Sequence, residues 1–291
     1  MVIINKLVSV IIPTYNASKF IDITVNSVHR QTYSNFELII IDDGSTDDTE
    51  EIVKKYLLDE RVKYFKIKNG GVSNARNYGA MMSKGEYLCF LDADDFFLPN
   101  NLKEKVDVLN SDESIGLVHA DILMVDEEGN ETGEISIGLS GKNLHLDILE
   151  WVECVIPAPS SIMVKRKLFY EAGTWDPFFS TAADQDLFIY ITLKTNVHRI
   201  KKTLTGYRIV NQSMSKNVTV FEKDHIGVYR KADKHNLFIT KKFKRICFAN
   251  LYFIIAGNWW KAEKNIVKTI KYLFLALFYS PIPTIKKLFN N

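Results

Sequence analysis

Cysteine is scarce in this chain of 291 residues. The three present, Cys89, Cys154 and Cys247, lie far apart and form no CxxC pair. Neither a zinc or redox motif nor a disulfide framework is therefore expected, and the usage fits a reducing compartment. The opening "MVIINKLVSVIIP" lacks a basic n-region and a cleavage site, so no secretory signal is read there. No uninterrupted apolar run reaches the roughly 18 residues of a membrane-spanning helix. There is no GxxxxGKS/T, and no GxGxxG follows the first strand-like run, so glycine-rich phosphate cradles are excluded. Internal repeats and low-complexity tracts are absent. The basic C-terminal part carries no nucleic-acid fold signature, so no nucleic-acid partner is expected.

What is present is ordinary globular composition, 46% hydrophobic and 25% charged. The net charge of +2 hides a split. Residues 1–200 balance at −12, whereas residues 201–291 carry 18 Lys and Arg against 4 acids, a balance of +14. Such a chain has an acidic body and a basic end able to meet something anionic.

Strand and helix alternate four times. "LVSVIIP", "FELIIIDDGS", "RVKYFKI" and "YLCFLD" read as strands. Helices are expected over "ASKFIDITVNSVHRQ" with Ser18 as N-cap, "TDDTEEIVKKY", "GGVSNARNYGAMMS" and "NLKEKVDVLN". Continuous apolar strands imply a parallel sheet covered on both faces, whose ligands bind beyond the C-terminal strand ends. After residue 115 the pattern loosens. "SIGLVHADI" and "PSSIMVKRKLF" read as strands, "EEGNETGE" as a turn-rich loop and "ADQDLFIYITLK" as a helix with two acids in its first turn.

The acids fall where such a sheet places its ligand. Asp42 and Asp43 end the second strand, and Asp92, Asp94 and Asp95 end the fourth within "LDADDFF". Carboxylates this close repel one another and resist burial. A solvated loop is the bland reading. A hard divalent cation, Mg²⁺ or Mn²⁺, shared by two of them is the sharper one, and it would bridge a diphosphate. Arg76 in "SNARN" is the matching cation for phosphate oxygens, unless it is a surface helix arginine.

The segments "VSVIIPTYNASKFI", "SVHRQTYSNFELIIIDDGSTDDT", "GGVSNARNYGAMMSKGEYLCFLDADD" and "AGTWDPFFSTAADQDL" together resemble a family 2 glycosyltransferase, from about Val8 to about Ser215. The resemblance implies the GT-A fold, an α/β, Rossmann-like, mostly parallel sheet with helices on both faces. It also implies inverting transfer of a sugar from a nucleoside diphosphate, usually UDP, with Mn²⁺ or Mg²⁺. Carried over residue by residue, it places Pro13, Thr14 and Tyr15 at the nucleobase, with Tyr15 stacked on the ring. Asp43 accepts from the base N–H beside Asp42, and Arg76 faces the diphosphate. Asp92, Ala93 and Asp94 form the DxD; Asp94 sits near ribose and metal, and Asp95 is a second metal ligand. Asp184 takes the place of the catalytic base. Asp186 either orients the site or caps its helix, and Trp175 either borders the acceptor or packs in the core. The chain departs from the pattern at Ala183, where Glu is common, and at Val210, where "GYRIV" would have His. Tyr207 and Arg208 remain to close over the donor.

These features lead to a catalytic domain over 1–240, with a nucleotide-sugar half to about 115 and an acceptor half beyond it, and a basic aromatic helical tail over 241–291. The expected role is a sugar transferase of surface glycan synthesis, with a UDP-sugar donor and a glycan or lipid-linked glycan acceptor. Nucleotidyltransfer is disfavoured by "IIPTYNAS", which lacks a glycine-rich basic loop. A non-catalytic sugar-binding subunit of a glycan assembly is the other reading. In the tail, lysines including Lys264, Lys268, Lys271, Lys286 and Lys287 interleave with apolar runs. That composition fits an interfacial helix on an anionic membrane, with a helical hairpin or homo-oligomer contact as the plain alternative. A cytoplasmic protein held peripherally at the inner face of the membrane is expected, and a chain ending near Ile239 should fold without the tail.

Overall fold

The structure is a computed structural model that describes residues 5–152, 154–210 and 217–281. The four expected strands form β1 (Val8–Thr14), β2 (Phe36–Asp42), β3 (Val62–Lys66) and β4 (Tyr87–Phe90). They are mutually parallel in the order β3-β2-β1-β4. Their connections are α1 (Ile21–His29), α2 (Thr49–Lys54) with a 3-10 turn after it, and α3 (Val72–Met82). The order reverses between β1 and β4, which is where an open α/β sheet leaves a crevice.

Pro13 shows how the sequence opens that crevice. The Thr14 carbonyl accepts from Asp43 on the β2 side, and the Ile11 carbonyl accepts from Leu91 on the β4 side. Backbone groups alternate, so Pro13 faces β4. The β1–β4 pairing ends at Ile11 and Phe90, so the missing proline N–H breaks no ladder bond.

Beyond β4 the sheet continues through β8 (Ile162–Lys165), β6 (Ile115–Val125), β9 (Asn196–Arg208) and the two-residue β5 (Phe96–Phe97), with β7 (Glu131–Ser136) paired to β6. β8 is antiparallel to both β4 and β6, while β6 and β9 are parallel. Most strands thus point one way, and β5, β7 and β8 point back. One face packs Val10, Ile12, Leu38 and Ile40 against α1 and α4 (Asn101–Ser111). The other packs Ile11, Leu88 and Phe90 against Phe169, Trp175 and helix α7 (Ala183–Thr192). On α3, a Cβ on Gly79 would meet the Ile11 side chain at 2.4 Å, so glycine sets the close approach of helix to strand.

Several expectations are corrected. Ser18 does not cap α1; the helix begins after Phe20 without a side-chain cap, and the Ser18 backbone N–H goes to Asp47. "PSSIMVKRKLF" is not one strand. Pro159–Ser161 is a 3-10 turn, and Arg166–Glu171 turns helical as α6, burying Leu168 and Phe169. "EEGNETGE" is a turn only as far as Asn130, where Asp126 accepts from the Asn130 backbone; Glu131 onward is the edge strand β7. α5 (His145–Glu150) and α8 (Val218–Lys234) complete the part of the fold before the tail.

The tail is less separable than its composition implies. α9 (Lys241–Glu263) and α10 (Ile266–Tyr279) form a hairpin. α9 sends Cys247, Phe248, Leu251 and Ile255 into the same core as Trp175 and Phe169. Glu222 on α8 accepts from Trp259 Nε1 on α9 and from Lys268 and Tyr272 on α10. Ending the chain near Ile239 would expose this part of the core to water, at a cost to stability. No described helix is long and apolar enough to cross a membrane. Lys286, Lys287 and residues 211–215 of the resemblance lie outside the described residues.

Candidate active site

The C-terminal ends of β1, β2 and β4 meet at the crevice. At β1, Pro13 and Thr14 are buried and Tyr15 is 54% exposed, an aromatic ring left at the rim. The Thr14 hydroxyl is buried and has no partner among the described residues.

At β2 the two acids do different work. Asp42 is fully buried; it accepts from the Ser45 backbone at 2.6 Å and from the Tyr64 hydroxyl at 2.5 Å. Asp42 thus holds the turn and Tyr64. Asp43 accepts from the Gly70 and Gly71 backbones, each at 2.8 Å. Gly71 caps α3 at φ 90°, a conformation that favours glycine. Asp43 therefore fixes the entry to the helix carrying Arg76.

Arg76 is buried on α3. Its Nη2 donates to Asp92 Oδ1 at 2.5 Å, and its guanidinium lies 4.5 Å from the centre of the Trp175 ring. Trp175 is fully buried, and its backbone N–H and carbonyl both bond the Asn77 side chain. The indole is the floor under Arg76.

The "DADD" turn separates three carboxylates. Asp92 pairs with Arg76. Asp95 is 1% exposed and turned inward, where it accepts from Ser160 Oγ at 2.5 Å and from the Arg208 backbone at 3.0 Å. Burial, then the charges of Asp94 and Asp92, hold its carboxyl well above the usual range. Asp95 thus helps to hold the turn. Arg208 is likewise a buried strut, bonded to the Asp94 and Glu127 carbonyls. Asp94 remains partly exposed. Burial, then the Asp92 charge, pushes its carboxyl up to about 6, against the weaker pull of Arg208 and Arg76.

Asp184 opens α7. It is partly accessible and accepts from the Gln185 backbone at 2.8 Å. Burial raises its carboxyl, while that hydrogen bond and the Arg76 charge pull it down. Asp186 lies one position beyond Gln185. It is 2% exposed and pairs with Lys231 on α8 at 2.7 Å, the same lysine that holds Asp176 at 2.7 Å. Tyr207 is where the two acid groups meet: after burial, the charges of Asp95, Asp92, Asp94 and Asp184 all raise its phenol. It also lines a groove of about 320 Å³ with Ile122, Met124, Ile135 and Pro157.

A cation fits this site in one way. Among the described residues no group of three or more acids, histidines or cysteines is gathered to hold a metal. Asp94 is the partly open carboxylate whose charge is poorly offset, so it suits a hard cation that takes its other oxygens from phosphate and water.

Sequence reasoning missed Ser160, which accepts from the Asp92 backbone while donating to Asp95. It also missed Asp224 on α8. One carboxylate oxygen there takes the backbone and hydroxyl donors of both Ser180 and Thr181, at 2.8–3.2 Å. Asp224 thereby anchors the loop that leads into α7. Replacing Asp224 by Ala should cost about 3 kcal/mol in urea denaturation, because two backbone donors lose a charged acceptor.

The sheet with its switch-point crevice and acidic strand ends defines the GT-A class of fold. The chain belongs to Glycosyl transferase family 2, whose family model matches residues 9–173. The uncharacterized glycosyltransferase RC0461 of Rickettsia conorii is 32% identical over 222 residues, 75% of this chain and 36% of that one. Chondroitin synthase of Escherichia coli is 38% identical over 262 residues, covering 89% of this chain and 37% of the synthase. The chain thus spans little more than a third of the length of either relative. In structure it is similar to S. aureus TarS 1-349 in complex with UDP-GlcNAc, with a TM-score of 0.69 at 20% identity over 95% of this chain and 82% of that one.

Proposed function

We propose that this chain is an inverting glycosyltransferase that moves a sugar from a UDP-sugar to a hydroxyl of a surface glycan, or of a lipid-linked glycan at the cytoplasmic face of the membrane. The observation that carries this is the pairing of a partly open Asp94 at the β4 end with a partly open Asp184 at the α7 start, both acting on Tyr207. An inverting displacement asks for these two jobs to be separate. Asp184 takes the proton of the acceptor hydroxyl, and its raised basicity suits that task. Tyr15 offers a ring for the nucleobase, and the unpartnered Thr14 hydroxyl lies beside it in sequence. Arg76 neutralises Asp92 by direct pairing. Mn²⁺ or Mg²⁺ at Asp94 would supply positive charge to the departing diphosphate. The UDP complexes of TarS and the Mn²⁺ and GDP-Man complex of a Pyrobaculum calidifontis mannosyltransferase support the donor class and the metal.

A screen of UDP-sugars for thermal stabilisation and for release of free UDP tests the reading. A ligand at 100-fold its Kd should add about 2.7 kcal/mol of apparent stability. UDP-sugar turnover is expected; binding without any turnover, with acceptor oligosaccharides present, would favour a sugar-binding subunit.

The metal assignment has its own check. Calorimetry should show UDP affinity falling at least about tenfold on chelation and again in Asp94→Asn. Metal-dependent affinity should also weaken as pH falls through about 6, because the cation needs the ionised Asp94. Equal UDP affinity with and without metal would end this assignment.

A further inference from the structure

α10 has apolar residues on nearly every side, "IVKTIKYLFLALFY", yet only one face is covered. Tyr272 and Ala276 are buried, and Leu273, Leu275 and Tyr279 lean on the core. On the opposite face Ile266 is 60% exposed, Val267 79%, Ile270 61%, Phe274 67% and Phe278 70%. Ile266, Ile270, Phe274 and Phe278 follow one another at four-residue steps, so they form a single stripe about 18 Å long. A helix apolar all round belongs in an apolar setting, and here half of that setting is missing.

The charges around the stripe indicate the occupant. Lys261, Lys264 and Lys271 are exposed beside it, and Trp260, half-exposed, stands at the end of α9 with Lys264 Nζ 5.2 Å from its ring centre. Residues 241–281 contain eight Lys and Arg and one acid, Glu263. A second copy of the chain seated on this face would bring lysine against lysine with little to offset it. An anionic lipid surface meets both requirements: acyl chains take the apolar stripe, head groups take the ammonium groups, and tryptophan suits the boundary.

We propose that the outer face of α10 is a docking surface for an anionic bilayer, with the helix lying in the plane of the interface. The proposal deepens the reading of a transferase working at the membrane, but it concerns binding and is tested without turnover. The full chain is mixed with phosphatidylcholine vesicles, with and without phosphatidylglycerol. Co-sedimentation and quenching of tryptophan emission by brominated lipid, compared with Trp260→Phe, are measured, and UDP binding is followed in parallel.

Sedimentation with the anionic vesicles, weak binding to neutral ones and release by salt are expected. Phe274→Glu combined with Phe278→Glu should lower partitioning more than tenfold. Lys264→Ala and Lys271→Ala should each lower it roughly fivefold. Leu58→Glu, on a residue 92% exposed elsewhere, should change nothing. UDP binding should survive in every variant, which shows that each is folded. Indifference of the full chain to anionic vesicles at low salt overturns the proposal. So does wild-type lipid binding in the double glutamate variant, or a dimer in light scattering that this variant splits, since a second copy would then own the face. Lipid binding without UDP binding would instead break the transferase reading and leave the docking surface standing.

Discussion

An Asp184→Asn chain should hold its nucleotide-sugar as the wild type does and lose transfer by a factor on the order of 10²–10⁴. The substitution keeps the shape of the side chain and an oxygen able to accept from the Gln185 backbone. What it removes is the ability to take a proton. The neighbouring acids do not replace it: Asp186 is tied to Lys231, and Asp92 to Arg76. Titration calorimetry with UDP and single-turnover transfer separate the two effects. Near-normal turnover with a working acceptor would place the base elsewhere. A parallel loss of UDP affinity would mean that the residue serves the donor.

Lys105→Met should stabilise the protein by about 3 kcal/mol at neutral pH. Lys105 lies on the inner face of α4, fully buried, with its ammonium 5.2 Å from the Phe97 ring centre and no hydrogen-bond partner among the described residues. Burial lowers its pKa from 10.5 to about 8. Below about 8 both folded and unfolded chains carry the proton, and the fold bears the whole cost of the buried charge. Between 8 and 10.5 the unfolded chain holds more protons, so this group makes stability rise with pH. Methionine fills similar space without a charge. The difference between the two chemical-denaturation curves should therefore shrink across that window. A variant no more stable than wild type at pH 7 would show that the ammonium has partners which offset its burial.

The first half of the fold was legible because two signals agreed. β-branched runs such as "VSVIIPT" are buried throughout, and each ends in a turn residue or an acid. The second half was less so. β9 reads "NVHRIKKTLTGYR", with charges along an exposed side, and its strand character comes from pairing with β6 and β5. α8 has a polar outer face and depends on Tyr229 and Val228 packing into the common core. In the site, spacing placed the carboxylates at the strand ends but could not say which way each one turns. Asp94 and Asp95 are adjacent in sequence and point to opposite fates, because Ser160 and Arg208, 65 and 113 residues away, claim only Asp95. Asp42 and Asp186 look like ligands by position and are set as structural acceptors by Tyr64 and Lys231. Long-range partners of this kind leave no local trace.

The Asp95 knot also bears on how such enzymes can be rebuilt. Its carboxylate joins the turn after β4 to the 3-10 segment before β8 and to the last residue of β9, and the sheet runs unbroken from β4 into β8. The sheet and this knot thus tie together the residues before and after position 115. A chimera that takes the first 115 residues from this chain and the remainder from a relative must import a hydroxyl at the Ser160 position and a strand end matching Arg208. Without them the grafted turn would carry a buried, unpaired acid directly beneath Asp94. The two parts of the sheet are in this sense cast as one piece, and exchange is better attempted at the groove around Ile135 and Tyr207 than at residue 115.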